Sequence, residues 1–542
     1  ILSGQLDSPT HSDEYYDDSP KIRDLARRAA TEGMVLVKNQ GLLPLLQSSI
    51  NKLAVIGPNA EQSSVQGGGS STVKTAYESH PLSGIKKAIG QHISIRHEIG
   101  CLNNKFLPPA DLNCMRACHH DAPGLSIEYF RERGMEGTAD ELELNQKHKI
   151  SWFGAFGGDL GDIVSGRNFS ARLSGVFTPS ESGLHTFGLM SAGLSRMFLD
   201  GQLIIDNWTQ QEPGDSFYAF GSSERRTSLQ LESGREYSLV IEYEKNDDAI
   251  VSGLQYGILP PVPANLMDRA VSAAKDADAV ILVVGTTAEW ETEGNDRSDM
   301  SLPRQQGELI KRISDVNSKV VVVVNACGPI EMPWLDCVKA VLYCWFPGQE
   351  FGNALADVLF GKSNPSGKMP VTFPKRIEDT PTYATYPGDG HRLLYDEELF
   401  VGYRWYDHQN IEPVVPFGHG LSYTSFFYGP IIIDKEPVGG QPFKVSLDIT
   451  NTGDYAGSEI IQLYIRGLQE AATSPEKELK SYRKIHLSPN ETKQVSFHID
   501  ERSLAHWDCS EQTWRVNSSE FELLIGASSR DIRSRIRFSW TE

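Results

Sequence analysis

The strongest apolar signal in the chain is the run Ala279-Val280-Ile281-Leu282-Val283-Val284-Gly285. Its length, its β-branched content and the closing Gly predict a strand buried on both faces, as in a parallel sheet. Val320 to Asn325 predicts a second such strand and Ala340 to Cys344 a third. Apolar Leu266, Met267, Ala270 and Ala274 mark an amphipathic helix over 264–277, and another is expected around 305–316. Upstream, Pro20 opens a helix through Ile22, Leu25, Ala26 and Ala29, and Leu53 to Asn59 reads as a strand ending in a turn. Strands alternating with helices at this spacing give right-handed crossovers, hence a parallel sheet with helices on both faces.

Two other regions follow a shorter period. From 122 to 257, short alternating runs such as Phe169 to Gly175, Gly183 to Leu189 and Tyr237 to Tyr243 are separated by Gly and Asp turns, the pattern of an all-β unit. It interrupts the α/β pattern, so the sheet is begun before it and finished after it. Alternation returns from about 430, with Phe443 to Asn451, Glu459 to Ile465 and Phe521 to Gly526, an immunoglobulin-type sandwich by strand count and turn spacing. The predicted architecture is multidomain α/β plus all-β. Residues 1–20 form an acidic arm, 21–121 with 258–388 a discontinuous α/β sandwich domain, and 122–257 an inserted β-sandwich. Residues 389–429 form a connecting segment, and 430–542 the C-terminal immunoglobulin-like β-sandwich.

Composition narrows the function classes. The 542 residues are enough for three or four domains, and 39% hydrophobic with 23% charged residues is ordinary for large buried cores. A net charge of −20 argues against a phosphate-binding surface, so no nucleic-acid partner is expected. No apolar stretch is long enough to span a bilayer, so no membrane partner is expected either. The seven cysteines do not make a disulfide scaffold, and their odd number leaves at least one thiol unpaired. No signal-peptide pattern precedes Ile1, while sequons at Asn168, Asn207, Asn490 and Asn517 tilt the compartment towards secretion. Cys114, Cys118, His119 and His120 lack the second ligand pair that structural zinc requires, so no metal and no cofactor are expected. Gly67-Gly68-Gly69-Ser70-Ser71 lacks the Lys of a phosphate-binding loop and reads as a turn where backbone approaches closely.

Candidate chemistry concentrates directly after the Ala279 to Gly285 run. Glu289, Glu291, Glu293 and Asp296 fall within nine residues together with Trp290 and Arg297. Loops beyond the carboxyl ends of parallel strands are where α/β sheets bind ligands. Three acids spaced two apart would repel one another in a dry site, so at least one is expected to have a raised pKa, as a general acid needs. The bland alternative is a solvated loop in which Asp296 and Arg297 form an ordinary ion pair.

Glu291-Thr-Glu-Gly-Asn-Asp-Arg297, followed by Met300-Ser-Leu-Pro303, resembles the Glu-Gly-x-Asp-Arg…Leu-Pro segment of family three glycoside hydrolases, the β-glucosidases in particular. The resemblance implies that Glu293 is the general acid/base, with Glu291, Asp296 and Arg297 as supporting residues. It extends along the chain. Glu32 to Asn39 with Val55 to Ala60, Pro347 to Glu350, Gly361 to Pro374, Phe400 to Asp407 and Pro416 to Thr424 are similar to family phrases in the same order. The insertion resembles the anthrax-protective-antigen-like β-sandwich that some members carry here beside the active-site entrance. Residues 478–489 resemble the family's fibronectin type III-like domain. Glu350 is a second conceivable acid, with helix capping as its simpler role. His419 reads as part of a packed turn.

Retaining hydrolysis needs two carboxyl groups about 5–5.5 Å apart. In the family the nucleophilic Asp lies on an eight-fold β/α barrel, in a Ser-Asp-Trp context that occurs nowhere in this sequence. The expectation is retaining hydrolysis of short β-glucosides, with the nucleophile outside this chain and a separate barrel segment as partner. The alternatives are a barrel-less carbohydrate-binding or scaffold protein, or an enzyme using Glu293 on a non-sugar small molecule.

Overall fold

The computed structural model describes residues 17–152, 163–164, 168–245, 251–469 and 474–541. The first sixteen residues of the predicted arm lie outside them. In the α/β part, helices α1 (Pro20–Gly33), α2 (Pro81–Ala88), α3 (Leu266–Lys275), α4 (Gln306–Val316) and α5 (Phe351–Leu359) flank one six-stranded sheet. Its strands are β1 (Val35–Asn39), β2 (Lys52–Ile56), β3 (Ser94–Glu98), β4 (Ala279–Gly285), β5 (Val320–Asn325) and β6 (Ala340–Tyr343), in the order β1-β6-β5-β4-β2-β3. All neighbours are parallel except β1, which pairs antiparallel with β6 at the edge.

Strand periodicity assigns the two faces of β4. Ala279, Ile281 and Val283 pack with Ala30, Leu82, Ile85 and Leu355 from α1, α2 and α5. Val280, Leu282 and Val284 pack with Ala270, Ala274, Leu309 and Ile313 from α3 and α4. Every β4 and β5 residue is buried, which is why both read as unbroken apolar runs rather than alternating ones.

The insertion emerges between β3 and α3. It folds as two antiparallel sheets, one ordered 202–207, 194–199, 237–244, 170–177, 125–130, 141–145, the other 225–231, 183–192, 253–259, 149–151. Trp152, Phe169 and Tyr243 pack against one another in its core. At the C-terminal end, two further antiparallel sheets built on 443–451 and 457–467 enclose a core of Phe443, Leu447, Leu463, Phe497 and Phe521. Among the described residues, no helix is long and apolar enough to cross a membrane.

Four side-chain amides, almost wholly buried, close the sheet beneath the acidic loop. Asn59, just past β2, donates to the Thr286 carbonyl at 2.9 Å and to Asn325 Oδ1 at 3.1 Å. Asn103 Nδ2 donates to Asn59 Oδ1 at 2.8 Å. Gln306, opening α4, donates to Asn103 Oδ1 and the Gly285 carbonyl and accepts from the Gly285 N–H. Asn325 itself donates to the carbonyls of Ser64 and Trp345. Substituting Asn325→Ala removes its two donors and its acceptor at once. Leaving a buried partner unsatisfied costs about 1–3 kcal/mol, so urea unfolding should show a loss of at least that size with an unchanged m-value.

Candidate active site

The loop leaving β4 is held against the Gly67-Gly68-Gly69-Ser70 turn. The Gly68 N–H donates to the Glu291 carbonyl at 3.2 Å, and Gly68 forms a parallel bridge with Thr292. A methyl group on Gly68 would lie 2.5 Å from Thr292 Oγ1. On Gly69, whose φ is +81°, it would lie 2.6 Å from Glu293 Cβ. Only glycine permits this approach in this conformation. The turn then presents the Ser70 N–H to Glu293 Oε2 at 2.9 Å.

Each acid of the loop has found a different partner. Glu289 accepts from the Lys105 and Phe106 N–H groups at 3.2 and 3.3 Å. Glu291 accepts from the Cys327 N–H at 2.5 Å, the Gly328 N–H at 3.2 Å and Arg297 at 3.1 Å. Arg297 also donates to the Ser301 carbonyl at 3.0 Å. Asp296 accepts from the Tyr386 hydroxyl. Arg297 thus pairs with Glu291 and not with its neighbour Asp296, because Glu291 lies across the loop beside the turn after β5.

The expectation of a raised pKa is met by Glu289 and not by Glu293. Burial pushes the Glu289 carboxyl up, opposed by the two N–H groups, reinforced by Glu224 and eased by Lys149. Glu293 is exposed, and its contacts with Ser70 hold its carboxyl below the ordinary value. A hydrogen bond to the charged form favours ionisation, and here it outweighs the slight desolvation that opposes it. Glu350 stands at the start of α5, but its carboxylate takes the Tyr77 hydroxyl and Asn353 Nδ2 rather than a backbone N–H of the helix. His419 is half-buried and hydrogen-bonded to the Val37 carbonyl at 2.8 Å, in keeping with the packed turn expected of it. Among the described residues no cluster of three or more His, Cys, Asp or Glu is arranged to hold a metal.

Glu293 lies on the wall between two clefts. One, of about 610 Å³, opens to solvent between the triple-glycine turn, Asp296, Arg297 and the Cys327 turn. The other, of about 500 Å³, lies towards the insertion, with Phe217, Tyr218, Lys149 and Gln255 on its far side. The insertion is fastened there. Asn295 Nδ2 donates to the Asp215 carbonyl at 2.9 Å and Lys105 pairs with Asp215 at 2.5 Å, while within the α/β part Trp290 Nε1 donates to the Asn103 carbonyl at 2.8 Å. Sequence reasoning missed Ser70, Tyr386, Asp215 and the buried amides. The local signals were the glycine run that precedes Ser70 and, for the amides, a carboxamide at or just beyond the end of an apolar strand, as at Asn59 and Asn325.

Comparison with known proteins gives the family. Residues 34–423 match the glycosyl hydrolase family 3 C-terminal domain, and 459–529 match the fibronectin type III-like domain. The chain belongs to glycosyl hydrolase family 3. A β-glucosidase of Rhizobium radiobacter is 40% identical over 531 residues, which is 96% of this chain and 63% of that protein. A probable β-glucosidase I of Aspergillus oryzae is 33% identical over 547 residues, 97% of this chain and 64% of that protein. The crystal structure of the Kluyveromyces marxianus β-glucosidase in complex with glucose superimposes with a TM-score of 0.90 at 29% identity, over 100% of this chain and 65% of that one. The chain therefore spans less than two thirds of the length of these relatives.

Two substitutions test the loop. Gly69→Ala must adopt a left-handed conformation and displace Glu293, at a cost of about 1–3 kcal/mol by thermal or urea unfolding. Glu289→Gln should change stability with pH in a defined direction. Because burial raises the folded-state pKa, the favourable uptake of a proton on folding is fully present below the ordinary value of 4.5 and is lost as pH rises through the raised one. The variant's Tm, relative to that of the parent, should therefore climb as pH rises above 4.5 and level off once the raised folded-state pKa is passed.

Proposed function

We propose that this chain supplies the acid/base half of a retaining β-glucosidase site, acting on short β-glucosides, with Glu293 as the group that moves the proton. The observation that carries the reading is the placement of Glu293. It is exposed, is held by Ser70 on the triple-glycine turn and lies on the wall of an open cleft, while the other exposed acid of the loop, Asp296, is taken by the Tyr386 hydroxyl. Glu289 and Glu291 are consumed by backbone N–H groups and Arg297, so neither is free to reach a substrate.

In the first half-reaction Glu293, protonated, gives its proton to the glycosidic oxygen as that bond breaks. A carboxylate on a second unit attacks the anomeric carbon from the opposite face and forms a glycosyl-enzyme. The aglycone leaves as an alcohol. Glu293, now ionised, takes a proton from water, which attacks the anomeric carbon and releases the sugar with retained configuration. The nucleophile is the Asp expected on the β/α barrel, absent from the residues of this chain.

The low pKa of Glu293 fits this division of labour. With the cleft open to water, Ser70 favours the carboxylate, which is the form needed for the second step. Covering the cleft and bringing a second carboxylate near both favour the protonated form, which the first step needs. The acid is thus armed by assembly.

The remaining assignments belong to the same proposal. Glu291 and Arg297 brace the loop against the turn after β5, and Asp296 anchors it to Tyr386. The insertion, of the protective-antigen-like kind and with the boundaries 122–257, walls the aglycone side through Asp215 and Tyr218.

The test is kinetic, on the protein as purified from its source with any barrel it carries. Glu293→Gln should lower kcat/KM on alkyl β-glucosides by about 10²–10⁴-fold, with a smaller loss on aryl glucosides whose leaving group needs no proton. Equal, small losses on both would overturn the assignment.

A further inference from the structure

The two segments that join the insertion to the α/β part enclose a cavity of about 540 Å³. One leaves β3 and contributes Phe106 and Leu107. The other returns through Leu259 and Val262 into α3, where Leu266 and Met267 complete the apolar wall. The crossings are tied together, the Ile258 N–H donating to the Pro108 carbonyl at 3.0 Å. The cavity shares no residue with the open Glu293 cleft, and only Phe106 with the cleft towards the insertion. Small-molecule sites of this size favour such junctions and combine an apolar lining with a few polar groups.

The charged groups at this cavity are of one sign. Arg226 and Arg304 line it and no Asp or Glu does, in a chain whose net charge is −20. Asp268 and Glu308, in the first turns of α3 and α4, lie outside the lining. The two arginines differ in what holds them. Arg226 pairs with Glu224 at 2.5 Å and donates to the Lys105 carbonyl at 3.1 Å, so its charge is answered. Arg304 is held by carbonyls instead, donating to those of Asn104 at 3.0 Å and Lys105 at 3.3 Å. Its guanidinium carbon lies 5.8 Å from the centre of the Trp290 ring. The backbone singles out the same residue. Arg304 has a φ of +60°, in the left-handed region, just before α4. A residue with a Cβ is strained there, whereas glycine is not, and such outliers gather at functional sites. The guanidinium is kept at the cavity at a cost to the chain.

We propose that this cavity binds a small anion with an apolar body, an aryl or short alkyl carboxylate. Arg304 takes the carboxylate, and the wall of Phe106, Leu107, Leu259 and Met267 takes the body. A guanidinium held only by carbonyls still offers planar N–H donors that match a carboxylate. A neutral sugar would find few partners for its hydroxyls on such a wall, and a cation would meet two arginines. Because both crossings line the cavity, a bound ligand braces the insertion against the α/β part. None of this depends on the role of Glu293.

Photo-crosslinking tests the site on the whole protein, with any barrel it carries. The probe is 4-benzoylbenzoate, whose excited ketone inserts readily into methionine C–H bonds. Its counterpart 4-benzoylbenzylamine has the same body and the opposite charge. Mass spectrometry should find a saturable adduct of the acid at Met267, with several-fold less from the amine. Met300, in the wall of the Glu293 cleft, is the internal control and should show no such preference. Arg304→Gly suits the left-handed backbone and keeps the fold, yet should raise the half-saturating concentration about tenfold or more. Ala264→Trp leaves Arg304 in place but fills the cavity from its exposed rim, and should abolish the adduct. No adduct at Met267, equal labelling by acid and amine, or saturation unchanged in Arg304→Gly would each overturn the site. So would labelling confined to Met300.

Discussion

Four buried side-chain amides tie the carboxyl ends of β2, β4 and β5 to the start of α4, and the acidic loop is built on that closure. Asn59, Asn103, Asn325 and Gln306 exchange hydrogen bonds with one another and with the carbonyls of Gly285, Thr286, Ser64 and Trp345. In a low-dielectric interior such a network is stiff when satisfied and costly when broken. Its stiffness fixes where Gly285 ends and where the loop begins. The turn after β5 can then offer the N–H groups of Cys327 and Gly328 to Glu291, and the triple-glycine turn can offer that of Ser70 to Glu293. The position of the Glu293 carboxylate is thus inherited from the sheet.

The electrostatics of the loop follow from how its acids are shared out. Glu289, Glu291 and Glu293 are two residues apart, yet none faces another at close range, because each is taken by donors from a different segment. Glu289 is drawn into the entrance of the insertion, where burial raises its pKa. Glu291 becomes a structural brace. Of these three, Glu293 is left exposed, with its Ser70 contacts favouring the carboxylate. A carboxylate in that condition is a good base and a poor acid, and only a second surface over the cleft changes the balance.

Much of the fold could be read directly from the chain. β4 and β5 are apolar at every position because helices cover both faces, and the insertion and C-terminal unit betray themselves by a period of two. The edge strand β1 was harder, since an apolar run at 34–37 does not say which way it will pair. The site divides similarly. The motif singled out the loop that carries Glu293, whereas the expected repulsion among its acids failed because backbone N–H groups contributed by residues far away in sequence solvate Glu289 and Glu291. Tyr386 and Asp296 are 90 residues apart, and Ser70 and Glu293 are 223 apart. No local pattern encodes such pairs; they exist only once the sheet has closed.

The most direct test of the central claim is chemical rescue. Glu293→Ala in the protein as purified from its source, given an aryl β-glucoside with a good leaving group, should form the glycosyl-enzyme and then stall, because nothing activates water. Azide needs no general base and should restore turnover, giving the β-glucosyl azide with retained configuration. If the parent enzyme turns over and the variant neither responds to azide nor forms that product, Glu293 is not the acid/base.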